Sequence, residues 1–199
     1  MKKLLIVMGC TVLLNGCATM SKSECLGADD YSRWTILGQN DGLEGKAPQI
    51  DKRGQACAKH HVAIDREAYK AGYRKGIAAF CKPQNIFNLA LQGKGQGQGS
   101  WLLQNGGSFT NCPLEIQDEL RSYYNVGNNY YQTKTQFDDL EKGIASAKRS
   151  LKKNDLKQEQ RDYYYGRISE NTELLPLARN NFEEAKRELL QFKRQNGLN

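Results

Sequence analysis

Hydrophobic residues recur along this chain in three rhythms, and each predicts a different element. An unbroken apolar run from Leu4 to Leu14 follows two lysines, Lys2 and Lys3. Its eleven residues would make a helix of roughly 16 Å, about half a bilayer core and too short to span one. Further on, the spacing is helical but studded with small residues. In "DREAYKAGYRKGIAAFC", Asp65 is placed to cap a helix with Ala68, Tyr69, Gly72, Tyr73, Gly76 and Phe80 on one face, and Lys82-Pro83 should stop it. Asp29 and Asp30 are placed to cap an earlier helix carrying Trp34, Ile36, Leu37 and Gly38.

From Pro113, a residue suited to a first helical turn, the rhythm becomes a heptad. With Ile116 as position a, the next a residues are Tyr123, Tyr130, Phe137, Ile144 and Leu151, and the d residues are Val126, Thr133, Leu140 and Ala147. Such alternation over five heptads predicts a coiled-coil-like seam. It ends at "KKND", where Asn154 should turn the chain and Asp155 should cap a return helix, with Gln158 or Glu159 in its first turn. The return stripe is Tyr164, Ile168, Leu175, Ala178, Phe182, Ala185, Leu189 and Phe192. Asn171 interrupts it, and Pro176 should kink or split it. Leu174, Leu177 and Leu190 fall off the stripe. Two seams joined by a short connection predict an antiparallel hairpin with arms of about 55–60 Å.

Glycines follow aromatics at one-turn spacing in three places: Trp34…Gly38-x3-Gly42, Tyr69-x2-Gly72-x3-Gly76 and Tyr124-x2-Gly127. An interior helical glycine costs up to about 1 kcal/mol, so something must compensate. None of these segments is apolar enough to pair inside a membrane. The reading is close helix–helix packing at Gly38, Gly42, Tyr69, Gly72, Gly76 and Gly127, each aromatic covering a bare glycine face. A backbone-lined ligand groove is the alternative.

The apolar run leads into Leu14-Asn15-Gly16-Cys17, which resembles the lipobox of bacterial lipoproteins. In that family cleavage precedes the cysteine, which then carries the acyl chains. Cys17 is thus the expected lipidation site, and residues 1–16 the signal peptide; Cys10 is lost with it, since cleavage there would leave too short a run. The competing reading is an ordinary secretory signal with an incidental cysteine. Two or more acyl chains hold a protein stably on a membrane. Ala18 stands where aspartate would mark inner-membrane retention, so the resemblance implies an outer membrane, with the chain facing the periplasm. Display on the outer surface is the alternative.

Removing residues 1–16 takes two lysines and no acids from twenty-nine basic and twenty-two acidic residues, leaving about +5. After export, a mild basic excess points to acidic envelope partners rather than nucleic acid. Four cysteines remain, Cys25, Cys57, Cys81 and Cys112. In an oxidising compartment they read as two disulfides with three possible connectivities; pairing of sequence neighbours closes loops of about thirty residues. No C-x-x-C pair supports a metal site.

The expected fold is mainly α. A lipidated tether over 17–22 leads to a Cys/Gly-rich helical domain over 23–112, with a flexible Gly/Gln insertion at 92–107 around Trp101-Leu102-Leu103. A helical hairpin over 113–199 follows. Glu24-Cys25, Trp34-x3-Gly38-x2-Asp41-Gly42-x2-Gly45, Ala56-Cys57, Asp65-x3-Tyr69-x2-Gly72-x3-Gly76-x3-Phe80-Cys81-x-Pro83, Cys112-Pro113 and Tyr124-x2-Gly127 resemble an uncharacterised family of proteobacterial lipoproteins, catalogued as a domain of unknown function. The resemblance spans about Cys17 to Tyr131 and implies lipoprotein and fold but no activity. This chain departs from that pattern with Ile64 in place of a usual proline, His61 in place of a usual glycine, and a longer insertion.

Catalytic patterns are sparse. His60-His61 would point about 100° apart on a helix and chelate poorly. No H-E-x-x-H, G-x-S-x-G or phosphate loop occurs, so no cofactor or metal is expected. Asp41 with Glu44 could form an acid pair; a helix-ending Asp-Gly turn is the simpler reading. Tyrosines cluster at Tyr123-Tyr124, Tyr130-Tyr131 and Tyr163-Tyr164-Tyr165, near one another if "KKND" is the hairpin tip. Ordinary packing beside the seam is the simpler reading; exposed aromatics could instead stack on sugars or anchor a partner. The resulting expectation is a non-enzymatic, membrane-anchored interaction protein whose hairpin binds an envelope protein or itself. A saccharide-binding module is the second reading and a hydrolase the third.

Overall fold

The computed structural model describes residues 20–26, 31–95 and 107–198. Cys17, the caps at Asp29 and Asp30, and Trp101-Leu102-Leu103 lie outside them. Seven helices follow in order: α1 (Lys22–Leu26), α2 (Tyr31–Leu43), α3 (Ile50–Ala58), α4 (Arg66–Phe80), α5 (Pro83–Ala90), α6 (Leu114–Leu151) and α7 (Gln158–Asn196), with a 3-10 turn (Phe109–Asn111) before α6. No strand occurs among the described residues; one parallel bridge joins Gly95 to Ser108. The molecule is mainly helical, with two disulfides in its N-terminal part and a long helical C-terminal region.

Helices α2 and α4 lie backbone against backbone. A Cβ built on Gly38 would come 2.0 Å from the Tyr69 carbonyl oxygen, and one on Gly42 2.5 Å from the Ile77 nitrogen. In return, a Cβ on Gly72 would come 1.8 Å from the Thr35 carbonyl oxygen, and one on Gly76 2.1 Å from that of Gln39. What covers each bare glycine is therefore the partner helix's backbone. The expected aromatic lids are absent from these contacts because a ring between the helices would hold them apart.

Helix α4 starts where Asp65 Oδ1 accepts from the Ala68 N–H at 2.9 Å, satisfying one of its orphan donors. It then runs through two apolar clusters. Ala68 and Tyr69 join Trp34, Ile50 and the Cys25–Cys57 pair in the first. Ile77, Phe80 and Cys81 join Ile86, Ala90, Phe109, Cys112, Leu120 and Tyr124 in the second. Tyr73 packs against both. Each cluster holds one disulfide, Cys25–Cys57 or Cys81–Cys112, with separations of 32 and 31 residues. Loops of that length are worth about 3–4 kcal/mol each in the chain-entropy model.

Pro83 was expected only to stop α4, but it also starts α5. At a first helical position its missing N–H costs nothing, so one residue serves both purposes. Helix α5 carries Ile86, Phe87 and Ala90 inward and seats against Gly127 of α6, where a Cβ would lie 2.8 Å from that of Ala90. The first turns of α6 thus belong to the second cluster, and the core continues past Cys112. Of the expected insertion, residues 92–94 form the turn that closes α5, through Gly93 N–H to Ala90 and Lys94 N–H to Leu89.

Along the hairpin the seams meet in register. Tyr130 and Phe137 both contact Phe182, each with ring centroids 5.7 Å apart. Gly143 faces the Asn171 amide, so the polar break in one arm meets the bare backbone of the other. Pro176 does not split the return arm; α7 is continuous through it. The proline is solvent-exposed, leaving the Thr172 carbonyl it cannot bond where water can reach it, while Leu175 and Ala178 hold the seam. Nor does Asp155 cap α7. The helix begins three residues later, where the Gln160 side chain accepts from the Lys157 N–H at 3.0 Å.

Candidate functional site

Polar chemistry is concentrated where α2, α3 and α4 meet. Asp41 lies in the last turn of α2, where the Asp41 and Gly42 carbonyls accept the Lys46 and Gly45 N–H bonds that close the helix, and it is only 2 % exposed. Arg53 from α3 clamps it through Nη2–Oδ1 at 2.6 Å and Nε–Oδ2 at 3.0 Å. The fully buried Tyr69 donates its hydroxyl proton to Oδ2 at 2.7 Å and accepts from the Gln49 N–H at 2.8 Å. Burial, reinforced by the Asp41 carboxylate, pushes the Tyr69 phenol well above its ordinary value, so it remains a neutral donor.

This arrangement pins three helices together. The acid already has three donors and its charge is neutralised at a bidentate fork. Glu44 turns away to pair with Lys46. The two carboxylates therefore have separate partners. Sequence reading found Asp41 but missed Arg53, twelve positions on in a helix that it did not predict.

The histidines sit at the end of α3. Val62 N–H bonds back to the Cys57 carbonyl at 3.3 Å and His61 N–H to that of Ala58 at 3.1 Å, the paired bonds of a Schellman turn. His61 occupies its left-handed position, φ +59°. An open groove of about 430 Å³ lies beside this turn, with Gly54, Ala58, Val62 and Ile64 among its walls. The charged residues at its edge, Asp51 and Arg66, pair with each other at 2.7 Å. Among the described residues no group of three or more His, Cys, Asp or Glu could hold a metal ion.

The tyrosine clusters do not converge. Tyr124 is buried in the core, while Tyr123 packs edge-on against Phe192 at 5.0 Å. Tyr130 faces Phe182, seventeen positions beyond Tyr165, which is about 25 Å along α7. The tyrosine clusters, expected near one another though not level, thus form two separate surfaces. Near the tip, half-buried Tyr164 occupies the seam, and Tyr163 and Tyr165 flank it, 58 % and 59 % exposed. Leu174 and Leu177 are also open, at 48 % and 62 %, and with Tyr163 they share one flank of α7. No described helix is long and apolar enough to cross a membrane.

Residues 33–129 match a family model described as a protein of unknown function (DUF2799). That stretch runs from α2 to the part of α6 that seats α5, and leaves the rest of the hairpin outside it. No curated protein and no solved structure matches the chain.

Proposed function

We propose that this chain is an outer-membrane lipoprotein, anchored through Cys17 and facing the periplasm, that acts without catalysis as an interaction element. Its hairpin binds a protein partner or a second copy. The carrying observation is one flank of α7, where Tyr163, Leu174 and Leu177 stay open after the seam is filled. A two-helix arm buries one stripe of each helix, and further apolar positions on it await a third surface. The lipobox and the four paired cysteines suit an exported, oxidised protein.

The test must keep the hairpin in place. Phe192 near the end of α7 stacks on Phe87 of α5 at 6.1 Å, so truncation within the hairpin would also uncover the core. Leu174→Asp with Leu177→Asp leaves the seam intact. In-cell crosslinking of the full chain should show complexes that this double variant loses, while Cys17→Ser should release the protein from the membrane fraction. Complexes fully retained in the double variant would refute binding through this face of α7. Fatty-acid label retained on Cys17→Ser would refute the anchor.

A further inference from the structure

The charge of the hairpin is unevenly spread. From Leu114 onward fifteen basic residues nearly balance fourteen acidic ones. Between positions 148 and 161, however, six basic residues (Lys148, Arg149, Lys152, Lys153, Lys157 and Arg161) meet only Asp155 and Glu159. The tip therefore carries +4 and the remaining shafts −3. None of the six cations forms an ion pair with a described residue, and all but the half-buried Arg161 are exposed.

Helix stability explains only part of this cluster. Lys148 and Arg149 lie in the last turn of α6, where the helix dipole favours cations. Lys157 and Arg161 lie at the start of α7, where the same dipole opposes them. Lys152 and Lys153 add like charge in the connection between the helices. Arg161 offsets part of that cost by donating Nη2 to the Lys153 carbonyl at 3.4 Å, and Lys152 caps α6, but the clustering of like charge remains.

The exposed tyrosines indicate the shape of what they meet. Tyr163 and Tyr165 lie about 8–11 Å back from the start of α7 and point to opposite flanks of the seam. A flat surface meeting the tip end-on would touch the lysines and miss both rings. Leu151 and Leu156, the apolar residues nearest the turn, are half-buried in the hairpin, so no exposed apolar side chain at the turn is available to enter a bilayer. A concave surface could reach the charges and both flanks together.

On the reading that the hairpin binds protein, we infer that its tip inserts end-on into an acidic cleft of a protein partner. The five exposed cations meet the cleft floor and Tyr163 and Tyr165 grip its walls. The charges steer encounter, and the two desolvated rings supply the central anchors that tight interfaces use.

A photo-crosslinking residue placed at Asn154 of the full-length protein in cells tests this, with exposed Gln136 on the shaft as control position. The expected product is a protein adduct at Asn154, absent at Gln136, whose crosslinked partner peptide carries net negative charge. Lys152→Glu, Lys153→Glu and Lys157→Glu together should cut its yield at least tenfold, and arginine at all three positions should preserve it. Tyr163→Ala with Tyr165→Ala should cut it severalfold without creating any adduct at Gln136. A lipid or glycan adduct at Asn154, an equal protein adduct at Gln136, or a yield unchanged by charge reversal overturns the inference. If the tip variants keep every complex while Leu174→Asp with Leu177→Asp loses them, the tip is refuted and the broader hairpin reading stands.

Discussion

His61 is held in the left-handed region at φ +59°, while the comparable positions at the ends of α2, α5 and α7 are glycines: Gly45, Gly93 and Gly197, with φ from +63° to +70°. A side chain in that region crowds its own backbone, at a cost of about 1 kcal/mol. Among the described residues the imidazole makes no hydrogen bond that offsets that cost, so His61→Gly should raise stability by up to about 1 kcal/mol, less the added freedom of the unfolded chain. Urea unfolding will show it as a higher midpoint with an unchanged slope. A lower midpoint would mean that the imidazole contributes more than its strain removes. The resemblance marked this position as glycine-prone, and the turn gives the physical reason. A single histidine could not disclose the sign of its φ.

Tyr69 carries the second residue-scale prediction. Its folded pKa lies above the ordinary tyrosine value of about 10, with burial the leading cause. Above that pH the unfolded chain loses the phenolic proton first, so it binds fewer protons than the native state. Stability must then fall as pH rises beyond about 10, and be flat in this respect below it. Tyr73 and Tyr124, also shifted upward by burial, act in the same direction. Tyr69→Phe removes the donor to Asp41 and the acceptor for Gln49, costing about 1–3 kcal/mol near neutral pH. The gap between variant and parent should narrow from pH 9 to 11. A constant gap in denaturant midpoints across that range would remove Tyr69 from the alkaline loss.

At the scale of elements, the long helices were legible and the short ones were not. Five heptads repeat the same information, so the seams of α6 and α7 survive an intruding Thr133 or Asn171. Helix α5 has eight residues and begins at a proline that also reads as a stop, and α3 holds a glycine and a cysteine in nine. Neither has a periodicity long enough to stand out. The pairing of Asp41 with Arg53 depends on both ends being helical and could not be seen before α3 was. Pro176 shows the opposite failure, a strong local signal overruled by packing on both sides of it. Its ring and absent N–H still cost the helix up to about 3 kcal/mol. Pro176→Ala should therefore stabilise the protein by an amount approaching that figure and leave the helical circular-dichroism signal at least as strong. A destabilised alanine variant would show that the arm is built around the proline.

Across the whole molecule, α6 decides how folding is coupled. Its first turns bring Leu120 and Tyr124 into the cluster around Cys81–Cys112, and Gly127 seats α5. From Tyr123 onward the same helix supplies the seam for α7, and Phe192 of α7 reaches Tyr123 and Phe87 together. The hairpin is thus rooted in the core at both ends of its chain. Domains joined by an exposed linker can melt separately, but here the joint is continuous helix with side chains committed to both parts. Oxidised protein should therefore unfold in one transition. Far-UV circular dichroism, dominated by α6 and α7, should give the same urea midpoint as the fluorescence of buried Trp34, measured with Trp101→Phe so that one tryptophan reports. Phe192→Ala loosens the root and should separate the two midpoints, the helical signal falling first. Separate midpoints already present in the parent would mean that the hairpin melts as an independent unit, with α6 no strut between it and the core.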